Sequence, residues 1–424
     1  MRIGVIADDF TGATDIASFL VVNGLSAIQY SGTPKKTINT AASTDAIVIS
    51  LKSRSCLVNE AISDSLEALE WLKAQGCSKF YFKYCSTFDS TSQGNIGPVT
   101  DALLEALNCK HTIVCPALPV NGRCVINGHL FVNHQRLNES GMKDHPVTPM
   151  LESKVELLMN NQSKGLATSV FYNDVEKGSE HLKKTMDTLF DKGSNYIVVD
   201  AFTDQHLNII AQASFELPLV TGGSGLAAGI AQSFKNKSLR KTQLKSITPL
   251  AAPSVVISGS CSQMTNAQVN MYLNLAPHFQ VDVGECINNS AYDDEICQWV
   301  LNHQNTDLAP LVYATAPKEQ LKITQNKYGE EKSSAAVEAL FAKVCKKLQF
   351  AGVKNFVVAG GETSGSVTKA LDVEALEIGA QIVPGVPWVK ALNTSIFLAL
   401  KSGNFGDIDF FIKAQQLITH KNTQ

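Results

Sequence analysis

Two adjacent carboxylates are the first residues of this sequence that could take part in chemistry. Asp8 and Asp9 follow the apolar run at residues 2–7 and lead into Phe10-Thr11-Gly12-Ala13. Carboxylates at the end of a strand, just before a Thr-Gly turn, can bind substrate hydroxyls, hold a metal ion or accept a proton. Asp9 or Thr11 could instead simply cap the following helix, and the two roles can belong to different residues. Asp8 and Asp9 are therefore candidate site residues.

Two more polar stretches follow predicted strands in the first half. Arg54 comes after the run at 46–51, where an arginine can grip a carboxylate with two parallel hydrogen bonds. The stretch from Lys83 to Ser90 holds one base, the acid Asp89 and several hydroxyls, including Ser86. Such a set can recognise a polyol acid by hydrogen bonds. A lone surface arginine and an ordinary Ser/Thr/Asp turn would explain the same residues.

A loop stiffened by proline carries the next candidates. Pro116 and Pro119 restrict the loop after the run at 112–116, so Asn121 and Arg123 would be presented with little conformational freedom left to lose. Further along, His145 could contact a substrate or act as a base, although a single histidine is more often structural.

Glycine-rich turns dominate the second half. Ser258-Gly259-Ser260-Cys261-Ser262 ends a predicted strand, with a helix expected to begin near Thr265, and the turn at 359–365 repeats the arrangement. Small residues let backbone N–H groups approach phosphate oxygens, and a helix N-terminus favours an anion. Together the two turns predict a nucleotide cradle. The similar turn Thr221-Gly222-Gly223-Ser224-Gly225 lies in the first half, where it could face a ligand or allow tight helix packing.

Several functional classes find no support in the sequence. The chain has no phosphate-binding P-loop motif, no G-x-G-x-x-G dinucleotide fingerprint and no G-x-S-x-G nucleophile elbow. Its net charge of −3 shows no basic excess for nucleic acid. Ten scattered cysteines without a C-x-x-C pair disfavour a disulfide framework or a zinc site. No signal peptide and no membrane-crossing stretch are recognised, so we expect a cytoplasmic protein with no membrane partner.

The elements that must position these residues follow from length and pattern. A chain of 424 residues exceeds what one core usually supports, so we expect two α/β domains with mostly parallel sheets. Loops at the carboxyl ends of parallel strands converge on one crevice. Helices are predicted at 59–74, 98–107 and 333–348, and a basic linker at 235–245. Candidate strands span residues 2–7, 46–51, 79–84, 112–116, 196–201, 218–221, 254–258, 311–315, 356–359 and 378–383.

Five motifs in this order resemble the four-carbon acid sugar kinase family. They are the stretches at 6–13, 86–90, 115–123, 258–262 and 360–363, and the likeness spans nearly the whole chain. The resemblance implies an acid-sugar-binding domain at 1–240 and an ATP-binding domain at 250–424, with the active site in the interdomain cleft. The implied nucleotide positions are Ser258, Gly259, Gly360, Gly361, Glu362, Thr363, Gly403 and Phe405.

One motif points to a branch of that family. Relatives that use threonate or erythronate carry K-x-D-S-T-x-R-G where this chain has the residues from Lys83 to Ser90. The variant here, continuing to Pro98, is similar to the branch that acts on 3-oxo-tetronate. It lacks the arginine of the shorter motif, and Arg123 or Arg54 could replace that arginine.

The resemblance implies transfer of the ATP γ-phosphoryl group to the substrate's C4 hydroxyl, with Mg²⁺ bridging phosphate oxygens and the two domains closing to exclude water. The sugar carboxylate would pair with Arg54, Lys83 or Arg123, and its hydroxyls would meet Asp8, Asp9 and Ser86. Asp9 is the first candidate for the catalytic base and Asp89 the second.

Three alternatives stay open on the sequence. They are a kinase for threonate or erythronate, a two-domain sugar-acid-binding protein without chemistry, and a dehydrogenase, which the missing dinucleotide fingerprint disfavours. The sequence identifies no metal ligands and leaves the oligomeric state open, with a homodimer as one expectation.

Overall fold

The computed structural model describes residues 2–35, 44–88, 91–144, 148–237 and 247–418. The chain divides into two compact units, Met1–Leu244 and Lys245–Gln424. Of the predicted linker at 235–245, residues 235–237 belong to a helix and the rest lies outside the described residues. No described helix has both the length and the apolar character needed to cross a membrane.

The first unit is built on a parallel sheet in the order β2-β3-β1-β4-β11-β5-β10-β9. A separate antiparallel sheet joins β6, β7 and β8. Its strands are β1 Ile3–Ala7, β2 Ala27–Ser31, β3 Ala46–Ser50, β4 Lys79–Lys83, β5 Thr112–Cys115, β6 Arg123–Ile126, β7 His129–Val132, β8 Gln135–Arg136, β9 Ala167–Val170, β10 Tyr196–Val199 and β11 Leu219–Gly222. Its α-helices are α1 Phe10–Val22, α2 Val58–Ala74, α3 Ile96–Ala106, α4 Val155–Gln162, α5 Tyr172–Val175, α6 Ser179–Asp191, α7 Asp204–Ala213 and α8 Leu226–Lys237.

The strand order of this sheet reverses at β1. From β1 the chain passes to β2 and β3 on one side and then to β4 on the other, so the loops that leave β1 and β4 diverge. Ligands of α/β proteins bind at such switch points, outside the carboxyl ends of the strands. The strands themselves are buried on both faces, as continuous apolar runs such as Ile3–Ala7 require.

The second unit has a mixed sheet in the order β13-β14-β12-β15-β18-β17-β16. Its pairs are parallel except for β16 with β17 and β17 with β18. Its strands are β12 Ser254–Ser258, β13 His278–Gln280, β14 Leu311–Tyr313, β15 Asn355–Ala359, β16 Ala375–Val383, β17 Val386–Ala391 and β18 Phe397–Lys401. Its α-helices are α9 Gln263–Leu273, α10 Val283–Asn288, α11 Tyr292–Asn302, α12 Lys318–Tyr328, α13 Glu330–Phe350, α14 Gly361–Ala370 and α15 Phe410–Gln416. Trp388 and Phe410 lie in its apolar core.

The predicted fold class, α/β with mostly parallel sheets, is confirmed in each unit. Every predicted strand is present, and where its ends differ they differ by one to three residues. The expected helix start near Thr265 was late, because the Ser262 side chain accepts the Thr265 N–H and caps a helix that begins at Gln263. The prediction missed β17, whose Pro387 is atypical of a strand, and the short strands β2, β6, β7, β8, β9, β13 and β18.

The glycines of the turn at 221–225 serve close packing. A Cβ atom on Gly222 would lie 2.4 Å from the carbonyl oxygen of Cys115, and one on Gly223 would lie 2.7 Å from that of Pro116. The turn therefore presses directly on the backbone that leaves β5. Of the two readings of this turn, tight packing is the one that these contacts support.

The same turn is tied to α1 through a buried acid. The Ser224 hydroxyl donates a hydrogen bond to one carboxylate oxygen of Asp15. The other oxygen, Oδ1, has no hydrogen-bond partner among the described residues. Burial raises the pKa of Asp15 to about 6, against the opposing attraction of Lys83 and the Ser224 hydrogen bond.

Replacing Gly222 tests the packing role. We expect Gly222→Ala to lower the free energy of unfolding by about 1–3 kcal/mol, because the added methyl group meets rigid backbone. Gly141→Ala is the control, since a Cβ atom there meets nothing within 4 Å. Urea titration of both variants measures the difference. Equal stabilities would contradict the packing role.

Replacing Asp15 tests the buried acid. A folded-state pKa of about 6 exceeds the ordinary value of 3.8, so Asp15 contributes stability below pH 4 that is lost as the pH rises through 6. Relative to Asp15→Asn, the wild-type free energy of unfolding should fall by about 2 kcal/mol between pH 4 and pH 7. Urea titrations across this range measure it, with Asp64→Asn as an exposed control. A pH-independent difference would show that Asp15 has an ordinary pKa.

Candidate active site

The register of the first sheet gathers four predicted residues at one edge. Ala7 lies opposite Ser50 of β3 and opposite Lys83 of β4. The residues that follow these strands therefore leave the sheet side by side. The Asp8 N–H donates to the Lys83 carbonyl oxygen at 3.0 Å, and the Ser53 N–H donates to the Asp8 carbonyl oxygen at 3.0 Å. The backbone thus brings Asp8, Asp9, Arg54 and Lys83 together.

Arg54 binds both carboxylates. Its Nε and Nη2 donate to the two oxygens of Asp8 at 2.9 and 2.8 Å, and Nη2 also reaches Asp9 Oδ1 at 2.7 Å. Burial alone would lower the pKa of Arg54, but the two carboxylates outweigh burial and raise it. The guanidinium expected to grip a substrate carboxylate is therefore already paired within the protein.

Asp9 caps α1 and stays accessible to a ligand. Its side chain accepts the Gly12 N–H at 3.0 Å, which caps α1, and Thr11 Oγ1 donates to its other oxygen at 2.9 Å. Burial opposes its ionisation, but Arg54, Lys83 and these donors lower the pKa of Asp9. A quarter of the Asp9 side chain is exposed, so a ligand can reach it.

Lys83 lies against α1 because position 12 has no side chain. A Cβ atom on Gly12 would lie 2.1 Å from Asp9 Oδ1 and 2.7 Å from Lys83 Nζ. The Lys83 ammonium is buried and donates to the Tyr84 carbonyl oxygen at 3.0 Å. Glycine in the first turn of α1 therefore lets a carboxylate and an ammonium group approach the helix together.

Two further predicted residues carry buried donors without acceptors. Arg123 Nη1 donates to the Asn121 carbonyl oxygen, while Arg123 Nε and Asn121 Nδ2 have no partner among the described residues. Arg123 also acts on the pKa of Asp15, as Lys83 does. Ser86 is buried next to the turn at 221–225, 3.5 Å from where a Gly223 Cβ would lie. Asp89 and His145 lie outside the described residues.

The second unit holds a cavity of about 360 Å³ at the carboxyl ends of β12 and β15. The turn residues Gly259, Ser260 and Cys261 line one side, and Gly360, Gly361, Glu362 and Thr363 line another. Apolar side chains of Val283, Leu321 and Val337 line a further part. The predicted nucleotide turns therefore share one cavity, which combines small-residue backbone with an apolar surface.

Glycine is required where the two turns meet. A Cβ atom on Gly259 would lie 2.3 Å from Thr363 Oγ1, and Gly360 has a φ of 133°, which side chains rarely adopt. The Thr363 hydroxyl donates to Glu338 Oε1 at 2.9 Å. Ser258 is fully buried, and its hydroxyl pairs with that of Thr315 at 2.6 Å. Ser258 therefore contacts Thr315, and the cavity lining begins at Gly259.

The turn after β18 packs against the first of these turns. A Cβ atom on Gly403 would lie 2.6 Å from Ser260 Oγ and 3.1 Å from Ser262 Oγ. Phe405 packs against the apolar core of the unit, and its carbonyl oxygen accepts a hydrogen bond from Gln268. All three predicted nucleotide turns are therefore close together.

Sequence reasoning did not predict that two ionisable groups are buried. Asp15 is one, and Lys401, at the end of β18, is the other; burial lowers the pKa of Lys401 to about 7. Asp15 lay inside a predicted helix, and β18 was not predicted at all. A lysine that follows Phe-Leu-Ala-Leu, with no acidic residue within five positions before or after it, was the available signal for Lys401.

Comparisons with known proteins find two family models in this chain. The chain matches the family models described as a sugar-binding N-terminal domain, over residues 3–230, and a nucleotide-binding C-terminal domain, over residues 255–411. A 3-oxo-tetronate kinase from Actinobacillus succinogenes is 54% identical, covering 98% of this chain and 99% of that protein. One from Brucella melitensis biotype 1 is 51% identical, covering 98% and 96%.

One solved crystal structure is similar to this chain over nearly its whole length. The protein comes from Salmonella typhimurium LT2 and was provisionally described as a tRNA synthase. It has a TM-score of 0.91 and 49% identity, covering 99% of this chain and 100% of that chain. The curated relative from the same strain is a 3-oxo-tetronate kinase with 49% identity. Together these matches show that the chain belongs to the four-carbon acid sugar kinase family.

Proposed function

We propose that this protein is an ATP-dependent kinase that phosphorylates the C4 hydroxyl of 3-oxo-tetronate. Curated relatives that are 54% and 51% identical to this chain are named 3-oxo-tetronate kinase. Within the chain itself, the proposal rests on the glycine-lined cavity of the second unit, which occurs together with a cluster of cations and carboxylates in the first unit. An anionic sugar and a triphosphate are the ligands that these two sites suit.

Lys83 and Arg123 are the cations best suited to the sugar carboxylate. Arg54 already binds Asp8 and Asp9, whereas Lys83 has one acceptor among the described residues and Arg123 Nε has none. Asn121 Nδ2 is a further buried donor without a partner there. We propose that these donors hold the carboxylate and the keto oxygen, with Arg54 as a charge partner that fixes Asp8 and Asp9. His145 stays a proposed contact.

The turns of the second unit suit the ATP phosphates. The helices α9 and α14 begin at these turns, so their N-terminal N–H groups and dipoles favour an anion. The apolar part of the cavity, with Val283, Leu321 and Val337, suits the adenine base. Gly403 and Phe405 stay proposed nucleotide positions, because both belong to the turn after β18.

Mg²⁺ is the metal that this site would take. It binds mainly through phosphate oxygens, waters and one or two carboxylates, and Glu362 and Glu330 supply carboxylates in the cavity lining. No cluster of three or more His, Cys, Asp or Glu residues suited to a metal occurs in the described ranges. Bound Mg²⁺ would neutralise charge that develops on the phosphoryl group.

Positioning accounts for most of the proposed catalysis. Asp9 is partly exposed, and Gly12, Thr11 and Arg54 hold its carboxylate in one orientation. This carboxylate would orient the C4 hydroxyl and accept its proton after transfer begins. Its lowered pKa makes it a weak base, which is sufficient where bond formation to the attacking oxygen lags behind. Asp89 stays the alternative.

The setting of the reaction is proposed on its chemistry. ATP and small sugar acids are available in the cytoplasm, so we propose that the protein acts there. A homodimer stays a prediction, which sedimentation equilibrium of the purified chain would test.

A coupled ATP-consumption assay over a panel of four-carbon acids tests the function. We expect turnover with 3-oxo-tetronate, at least tenfold lower kcat/KM with threonate and erythronate, and none without an acid. ATP consumption that ignores the added acid, or ATP binding without turnover of any acid, would exclude the kinase. Higher kcat/KM with threonate or erythronate would reassign the substrate.

Removing the Asp9 charge tests the proposed acceptor. We expect Asp9→Asn to lower kcat by about 10²–10⁴-fold, the usual contribution of a positioned acid or base, and to leave the KM for ATP within about twofold. Asp64→Asn, on the exposed face of α2, is the control. Unchanged turnover at saturating substrate would remove Asp9 from the mechanism.

Filling the space at Gly403 tests the nucleotide site. We expect Gly403→Ala to raise the KM for ATP at least tenfold, because the new methyl group displaces Ser260 or the turn itself. The KM for the acid should stay within about twofold. Gly365→Ala in α14, where a Cβ atom meets nothing within 4 Å, should behave as the wild type. A raised KM for the acid instead would assign this turn to the sugar site.

A further inference from the structure

Lys401 is a buried cation without a buried counter-charge. Its side chain is fully buried at the end of β18. Its Nζ donates to Thr265 Oγ1 at 2.9 Å, to the Ser402 carbonyl oxygen at 3.0 Å and to the Gly403 carbonyl oxygen at 2.8 Å. All three acceptors are neutral, and they belong to α9 and to the turn after β18.

The three contacts suit the charged form of this amine. An ammonium group has three N–H donors, one for each acceptor, whereas a neutral amine has two and would lose one of the three contacts. Burial favours the neutral form, and it lowers the pKa of Lys401 to about 7. The two effects nearly balance near neutral pH, so an added negative charge nearby would decide the protonation state.

Charged groups of the surrounding elements do not supply that charge. The titratable residues on the elements packed against Lys401 are Lys390 on β17, Tyr272 on α9, Cys261 before α9, Glu362 and Lys369 on α14, and, further along the turn after β18, Asp407 and Asp409, which pair with Lys413. Within the described chain none of them contacts Lys401 Nζ, and burial is the one cause of its lowered pKa.

The Lys401 amine also sets the orientation of a peptide in the nucleotide turn. The Gly403 carbonyl oxygen accepts from Lys401 Nζ, from Ser262 Oγ at 2.6 Å and from Thr265 Oγ1 at 2.7 Å. In a trans peptide the C=O group and the next N–H group point in opposite directions. The N–H group of Asn404 therefore points away from Lys401, and it has no acceptor among the described residues.

We propose that Lys401 is a positioning residue that turns the Asn404 N–H toward the ATP phosphates, and that ATP binding makes Lys401 take up a proton from solvent. The inference rests on the proposed function, because it takes ATP as the ligand of this turn. The phosphates stabilise the ammonium form, and by linkage the ammonium form binds the phosphates more tightly.

Isothermal titration of the full chain with a non-hydrolysable ATP analogue and Mg²⁺ tests this coupling. Titrations at pH 8 in two buffers of different ionisation enthalpy measure the protons taken up on binding. An amine with a pKa of about 7 is roughly nine-tenths neutral at pH 8, so we expect close to one proton per nucleotide. The uptake should fall toward zero at pH 6, whereas a phosphate with an ionisation near 6 would exchange no proton at pH 8 and would release protons near pH 6.

Variants separate Lys401 from other sources of protons. Lys401→Met should abolish the uptake at pH 8 and weaken binding at least tenfold. The control is Lys413→Met, which removes a lysine paired with Asp407 and Asp409 near the same turn. Proton uptake on nucleotide binding should be unchanged in this variant. Because the wild-type pH trend is itself diagnostic, the test holds even where Lys401→Met fails to fold.

Two results would overturn the inference in different ways. Nucleotide binding at pH 8 with no buffer-dependent heat, or with uptake unchanged in Lys401→Met, would contradict the coupling and leave the kinase proposal standing. Absence of nucleotide binding to the folded chain would contradict both.

Discussion

Burying charge at the ends of parallel strands is the constraint on which both sites depend. In the first unit, Arg54 compensates Asp8 and Asp9 with a bidentate contact and a third hydrogen bond. In the second unit, Lys401 has three neutral acceptors and no carboxylate among the described residues. A buried ion without full compensation costs free energy, and a ligand of opposite charge recovers part of that cost. In the first unit the charge pairs are therefore already formed within the protein. In the second unit the Lys401 amine has no anionic partner among the described residues.

Small residues make these arrangements geometrically possible. Gly12 lets the Asp9 carboxylate and the Lys83 amine approach α1, and Gly259 and Gly360 let two turns meet at Thr363. The turn at 221–225 has the same composition but packs against the backbone after β5. Similar glycine-rich strings therefore line a cavity in one unit and pack against backbone in the other, and the difference lies in what stands opposite each missing Cβ atom.

The sequence supports prediction of the strand-and-turn framework better than of the ionic contacts. Strands such as Ser254–Ser258 are continuous apolar runs bounded by turn residues, so pattern alone finds them. The position of Arg54 near Asp8 was predictable, because both follow strands of one parallel sheet. That Arg54 binds Asp8 and not a ligand depends on side-chain reach. Asp15 and Lys401 depend on what packs around them from residues 224 and 265, so no local pattern reveals Asp15, and only the apolar run before it points to Lys401.

The central claim is that the first unit binds the acid sugar and the second binds ATP. Hydrogen–deuterium exchange of the full chain with each ligand alone tests it most directly, because backbone N–H groups that bind or bury on ligation exchange more slowly. The account predicts that the ATP analogue protects peptides covering 258–263, 360–366 and 401–406, and that the sugar acid protects those covering 7–13, 51–56 and 83–88. Protection of the first set by the acid, or of the second set by the nucleotide, would contradict it.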